Sequence, residues 1–221
     1  MQDLPFRDRP QAGRILSRKL SAYAGRGDVL VLGLPRGGVP VAVEVARALH
    51  APLDVFLVRK LGAPGQEELA MGAIATGGVR IINEDVVRSL DISPRTIDSV
   101  AAKESRELAR RERLYRGDKP LPDIAGRTII LVDDGLATGA TMRAAMAAVR
   151  AKKPRRIVVA VPVAAAPTEA EFRAEADEIV CIATPEPFFS VGFWYEDFSQ
   201  TSDEEIRDLL ERAAKEPSPA A

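Results

Sequence analysis

Short, mainly apolar runs alternate along this chain with segments whose apolar residues recur every three or four positions. The runs at 29–34, 53–58, 128–132, 155–163 and 178–182 read as strands covered on both faces. The intervening segments read as amphipathic helices. In residues 9–25, Ala12, Ile15, Leu16, Leu20 and Tyr23 fall on one face with Arg and Lys between them, and Gly25 and Gly27 end the pattern. Further helices are predicted at 41–49, with Pro40 in the first turn and His50, Ala51 and Pro52 closing it, and at 141–150 and 167–175. Asn83 caps a short helix through Leu90. Ser93-Pro94 opens a long charged helix reaching about Arg116, and Ser202 with Glu205 forms a capping box for a last helix at 203–214.

Two stretches break the alternation. Residues 70–75 and 79–82 flank Thr76-Gly77-Gly78 as a hairpin, after a loop at 61–69 rich in Gly, Pro and Glu. Residues 185–200 are irregular and rich in aromatics. Strands alternating with helices make a doubly wound, mostly parallel α/β sheet the economical fold. The expected organisation is one domain through residue 214. Its core lies at about 28–183, a small hood forms from about 185–200 with the terminal helices, and a disordered tail follows at 215–221.

Composition changes this picture little. A chain of 221 residues can bury roughly 70% of its unfolded surface. Thirty-one Lys and Arg against 32 Asp and Glu leave a net charge of −1, so no global field holds nucleic acid. Cys181 is the single cysteine, which excludes an internal disulfide and is consistent with a reducing compartment. The first residues, Met1-Gln2-Asp3-Leu4-Pro5-Phe6-Arg7, carry no apolar core of signal-peptide length, and no apolar run approaches the roughly 20 residues of a membrane span. The expectation is a soluble cytoplasmic protein with neither a nucleic-acid nor a membrane partner. No Cys/His constellation of metal-ligand spacing is present. His50 reads as a helix C-terminal residue, and the basic residues between Arg150 and Arg156 as charges completing a helix end.

The chemistry gathers at the end of the 128–132 strand. Ile129-Ile130-Leu131-Val132 runs into Asp133-Asp134, then Gly135-Leu136-Ala137-Thr138-Gly139-Ala140-Thr141, and then an Ala-rich helical run. Glycines let a backbone come close, successive N–H groups and a helix N-terminus converge on one point, and threonine hydroxyls add donors, so a monophosphate fits there. Two carboxylates would repel a phosphate, so they face something else. They accept from a vicinal diol or hold a metal directly, and the diol is favoured. A phosphate beside a diol describes a ribose 5-phosphate. The stretch is no Walker loop, because no Lys precedes Thr141.

This stretch resembles the ribose-phosphate signature of the type I phosphoribosyltransferases: a hydrophobic strand, two acids, two variable residues, then small residue-Thr-Gly-x-Thr. The resemblance implies transfer of ribose 5-phosphate from 5-phosphoribosyl 1-diphosphate to a nitrogenous acceptor, a purine or another nucleobase, with release of pyrophosphate. It implies Mg²⁺ as cofactor and a homodimer in nucleotide salvage. Ala137, Thr138, Gly139, Ala140 and Thr141 would hold the 5-phosphate, and Asp133 and Asp134 the ribose hydroxyls. Pro35-Arg36-Gly37-Gly38 looks like the family's pyrophosphate loop, with Arg36, Gly37 and Gly38 as ligands and a cis peptide before Arg36. Arg59 and Lys60 fall where the family closes a lid, whose cations would steady the leaving group and exclude water from an oxocarbenium ion. Glu67 and Glu68 would be lid residues or solvated charge.

The segment from Phe188 to Phe198 resembles the hood of purine-salvage members. There Phe189 would stack on the acceptor and Glu196 would ligate magnesium, with Trp194 or Tyr195 as alternative stacking residues. Ala137 stands where hypoxanthine-guanine enzymes carry an acid, and Val161-Pro162-Val163 lacks their Lys, so the acceptor stays open. A ligand-sensing module of the same fold is the rival reading, and a hydrolase of phosphoribosyl compounds a weaker third.

Overall fold

The computed structural model describes residues 4–215; residues 1–3 and 216–221, and the side chain of Glu68, lie outside that description. The expected tail therefore falls outside it, except that Lys215 closes the last helix.

Five strands form a parallel sheet in the order β2-β1-β6-β7-β8. They are β1 (Val29–Gly33), β2 (Leu53–Val55), β6 (Thr128–Val132), β7 (Arg156–Val163) and β8 (Glu178–Ala183). The chain enters at β1, steps outward to β2, then returns to the other side of β1 with β6 in register Val29 to Thr128 and Gly33 to Val132. The strand order reverses between β1 and β6, which is where ligands bind in sheets of this kind.

The period-two alternation of β1, β6 and β7 divides two cores. Val29, Val31, Ile130, Val132, Val158 and Ala160 face α1 (Arg9–Lys19) and α2 (Gly38–Leu49), packing on Leu16, Leu20, Val41 and Val45. Leu30, Leu32, Ile129, Leu131, Val159 and Val161 face the other way, onto Met142, Met146 and Val149 of α5 (Ala140–Ala151) and Phe172 of α6 (Ala166–Glu175). A strand covered on both faces cannot alternate with polar residues, which is why these runs are apolar beyond their first residues.

Helix 9–25 is shorter than its periodicity suggests. Asp8 caps α1, its carboxylate accepting from Gln11 N at 2.7 Å, and after Leu20 the chain tightens into a 3-10 turn at Ser21–Tyr23 that still buries Tyr23. A larger correction concerns residues 53–69. The expected single strand at 53–58 ends at Val55, and the chain leaves the parallel sheet. Val58–Ala63 becomes β3 of a separate antiparallel sheet with β4 (Gln66–Ala75) and β5 (Val79–Ile82). The expected loop at 61–69 is thus a hairpin turning at Pro64-Gly65, with Gly65 at φ +72. Its Gln66-Glu67 start is too polar to look like a strand. A hairpin arm needs only its ladder hydrogen bonds and one apolar face, and Leu61, Ala63 and Met71 supply that face. The long α4 (Pro94–Arg116) and the last helix α7 (Asp203–Lys215) cover this smaller sheet through Ile97, Leu108, Tyr115 and Ile206; α3 (Glu84–Ser89), capped by Asn83, leads into them.

The hood is knitted from both ends of the described chain. Phe6 N donates to Trp194 O at 2.8 Å and Glu196 N to Phe6 O at 2.7 Å, while Phe6 and Tyr195 pack together over Ala12 and Val163. No helix among the described residues is long and apolar enough to cross a membrane.

Candidate active site

Asp133 and Asp134 leave the end of β6 at the reversal point. Asp134 N donates to the Asp133 Oδ1 carboxylate oxygen at 2.8 Å, and Asp134 Oδ2 accepts from Arg9 Nε at 2.8 Å. Arg9 lies at the start of α1, is 9% exposed, and spends Nη1 on the Ser199 carbonyl at 2.7 Å, with its guanidinium 3.9 Å from the centroid of Phe198. Tyr195 fixes the same acid from behind, its hydroxyl donating to the Asp134 carbonyl at 2.6 Å.

These surroundings split the two acids. Burial pushes the Asp133 carboxyl well above the usual carboxylate range, and the neighbouring Asp134 charge adds to that. Burial raises Asp134 as well, but the Arg9 hydrogen bond and charge pull against it. Asp134 is therefore the acid that holds its negative charge, and Asp133 the one that takes a proton more readily.

The loop after them has the form of an anion cradle. Ala137, Thr138, Ala140 and Thr141 are exposed, and Gly139 is buried at φ +73 just ahead of α5. A Cβ on Gly139 would stand 2.5 Å from the Phe172 ring. Two side chains outside the signature set the orientation of the loop peptides. Thr168 Oγ1 donates to the Ala137 carbonyl at 2.6 Å and Arg143 Nη1 to the Thr138 carbonyl at 2.8 Å. With the carbonyls tied down on the helix side, the N–H groups of Thr138, Gly139, Ala140 and Thr141 donate to no partner among the described residues. They converge with the N-terminus of α5, which favours an anion.

The loop after β1 approaches from the other strand. The Pro35–Arg36 peptide is cis, as the resemblance implied. Gly37 has φ −63, so its need for glycine is spatial: a Cβ there would run into the Asp134 carboxylate and stand 3.1 Å from Arg9 Nε. Gly38 is tighter still, its absent Cβ lying 2.6 Å from Val132 O and 2.8 Å from Asp133 Cα. The N–H of Gly38 is already given to Leu34 O at 3.0 Å. Gly38 therefore lets the two loops touch and does not offer its amide outward, which corrects the expectation of Gly38 as a pyrophosphate ligand. Arg36 is half-buried and meets the Gln200 amide, whose oxygen, turned toward it, accepts from Nη1 at 3.1 Å and also from Nη2.

The expected lid and hood residues are placed less simply. Arg59 and Lys60 lie inside β3, not at the end of a parallel strand. Arg59 grips Glu104 of α4 through Nε at 2.8 Å and Nη2 at 2.5 Å, and Lys60 is exposed. Phe189 is 66% exposed and sits 5.0 Å, centroid to centroid, from Phe193. Trp194 is half-buried with its indole nitrogen enclosed and without a partner among the described residues. Tyr195 is only 6% exposed, its ring packed 5.4 Å from Phe6 and 5.2 Å from Phe198, so it presents no face to a planar acceptor. Glu196 is exposed. Arg9, Arg143, Thr168 and the strut from Tyr195 carry no signal in the sequence: each acts through a partner between 5 and 125 positions away.

A family model for the phosphoribosyl transferase domain matches residues 8–197, and the chain belongs to that family. A Mycobacterium tuberculosis protein, whose name assigns it provisionally to the phosphoribosyl transferases, is 50% identical over 212 residues, 96% of this chain and 47% of its own length. The chain thus spans about half the length of the curated relatives it matches there. The bifunctional protein pyrR of Enterococcus faecalis is 30% identical over 148 residues, covering 64% of this chain and 81% of that protein. A crystal structure of a Thermus thermophilus protein superposes with a TM-score of 0.83 at 43% identity, covering 94% of this chain and 98% of the other.

Proposed function

We propose that this protein transfers ribose 5-phosphate from 5-phosphoribosyl 1-diphosphate to a nitrogenous acceptor, releasing pyrophosphate. The observation that carries the reading is the contact of two loops. The acids at the end of β6 lie directly against Gly37 and Gly38, and the amide cradle before α5 follows within five residues. A diol, a 5-phosphate and a leaving pyrophosphate each need one of these three surfaces.

In this reading Thr138, Gly139, Ala140 and Thr141 take the 5-phosphate and Ala137 shapes the loop. Asp133 and Asp134 accept from the ribose hydroxyls, and their charge steadies the cation that develops as the glycosidic bond lengthens. Arg36 and the Gly37 backbone meet pyrophosphate, which must displace Gln200 from Arg36. Phe189, 66% exposed, is open to stack on a flat acceptor, worth about 1–3 kcal/mol.

Among the described residues no group of three or more His, Cys, Asp or Glu side chains could hold a metal. Mg²⁺ binds through one or two carboxylates and substrate phosphates. Glu196, exposed in the hood segment, would be the protein carboxylate that holds it. When bound, the ion supplies charge neutralisation on the leaving group. A cytoplasmic homodimer working in nucleotide salvage is part of the same proposal.

One observation favours a second reading, a module that senses the phosphorylated ribose without turnover. Arg59, the cation expected in the lid, is committed to Glu104. Pyrophosphate release from the donor with Mg²⁺, screened over purine, pyrimidine and other nitrogen acceptors, separates the two. Release with any acceptor supports transfer; tight donor binding with no release across the panel supports the sensor.

A further inference from the structure

Arg9 lies outside the signature, on the first turn of α1, yet it is the most enclosed cation at the cleft. Its guanidinium has three simultaneous engagements: Nε on Asp134 Oδ2, Nη1 on Ser199 O, and its face on Phe198. The side chains of Arg9 and Asp134 are 10% and 14% exposed. At that burial an ion pair is far less screened than at the surface, and a planar fork fixes direction as well as charge. The Asp134 carboxylate so held lies on the side of Gly37 where a Cβ would be. Its carbonyl is tied separately by Tyr195.

We infer that Arg9 is a positioning residue for Asp134, holding that carboxylate at the seam of the two loops where the ribose hydroxyls would be received. The inference rests on the reading of the two acids as diol ligands. Arg9 is itself placed by the hood segment carrying Phe198 and Ser199. The next residue, Gln200, reaches Arg36. One short piece of hood therefore touches the residues assigned to ribose and to pyrophosphate. Without Arg9 the Asp134 carboxylate would lose the partner that offsets its burial. It would then turn away or take a proton, and in either case stop accepting from a diol.

Calorimetric titration with two probes tests this, ribose 5-phosphate for cradle and acids together and inorganic phosphate for the cradle alone. Arg9→Gln is expected to weaken ribose 5-phosphate about tenfold and leave inorganic phosphate unchanged, with Arg9→Lys recovering part of the loss. Gly37→Ala, whose methyl would press on the Asp134 carboxylate with Arg9 intact, is expected to show the same selective loss. Should Arg9→Gln not fold, Phe198→Ala removes only the ring above the guanidinium and should give a smaller loss of the same selectivity. Equal weakening of both probes would make Arg9 a structural residue only and overturn the inference, as would unchanged ribose 5-phosphate affinity. If the unaltered protein bound inorganic phosphate but gained nothing from the ribose, the diol reading of the acids would fall, and the role of Arg9 with it.

Discussion

Arg9 Nε and Asp134 Oδ2 stand 125 residues apart in sequence and 2.8 Å apart in space. Removing one partner of a buried pair leaves the other charge without compensation, at a cost of about 3–5 kcal/mol when burial is complete. Both side chains here retain a little exposure, so Asp134→Asn should lose about 2–3 kcal/mol. Urea denaturation measures it. The double variant with Arg9→Met should regain stability without regaining ribose 5-phosphate affinity. Additive losses would contradict the coupling.

Asp133 should behave oppositely. A carboxyl raised in the fold stabilises below its unfolded pKa of about 4, and that contribution is lost as pH rises through the folded value. At pH 7 the charged Asp133 is thus a burden on the fold. Asp133→Asn keeps an oxygen for Asp134 N and removes the burden. It should stabilise the fold and raise Tm at pH 7, while ribose 5-phosphate binding falls. A lower Tm at pH 7 would refute the assignment.

Gly139→Ala combines two penalties. Its φ of +73 disfavours any side chain by about 1–2 kcal/mol, and the new methyl meets the Phe172 ring. Thermal denaturation should show that loss or more, and inorganic phosphate should bind more weakly because the cradle amides are re-aimed.

Thr141→Val keeps the shape of an exposed side chain and deletes only its hydroxyl. Stability should stay within about 0.5 kcal/mol, while a lost hydrogen bond to a charged phosphate, about 1.5–3 kcal/mol, weakens ribose 5-phosphate at least tenfold. A shift in Tm without a shift in affinity would put the hydroxyl elsewhere.

Saturation should also be visible in the melting curve. At a ligand concentration about 100 times Kd, linkage stabilises the fold by about 2.7 kcal/mol, which corresponds to a rise in Tm of about 5–10 °C for a chain of this length. 5-Phosphoribosyl 1-diphosphate with Mg²⁺ should produce it. No shift at millimolar donor would count against donor binding.

The parallel sheet and its signature loop were legible because both are written locally. Wholly apolar runs mark strands covered on two faces, and Asp133 to Thr141 hold acids, glycines and hydroxyls in consecutive order. What escaped was written at a distance. Nothing in Asp8-Arg9-Pro10 beyond a helix cap reveals that Arg9 turns inward to Asp134. The β3–β4 hairpin was hidden because Gln66 and Glu67 carry no strand signal and because Val55 to Val58 reads as one apolar run across a change of sheet. The hood resemblance offers Tyr195 as an alternative stacking residue, but its burial follows from Phe6, which no local pattern ties to it.

The backbone exchange between Phe6 and the Trp194–Glu196 stretch has a practical corollary. The two ends of the described chain are stitched like the opening of a purse, so a trim at one lip slackens the other. Shortening this protein past Phe6, or fusing a bulky tag close ahead of it, would loosen Tyr195 from Asp134 while leaving every residue of the signature in place.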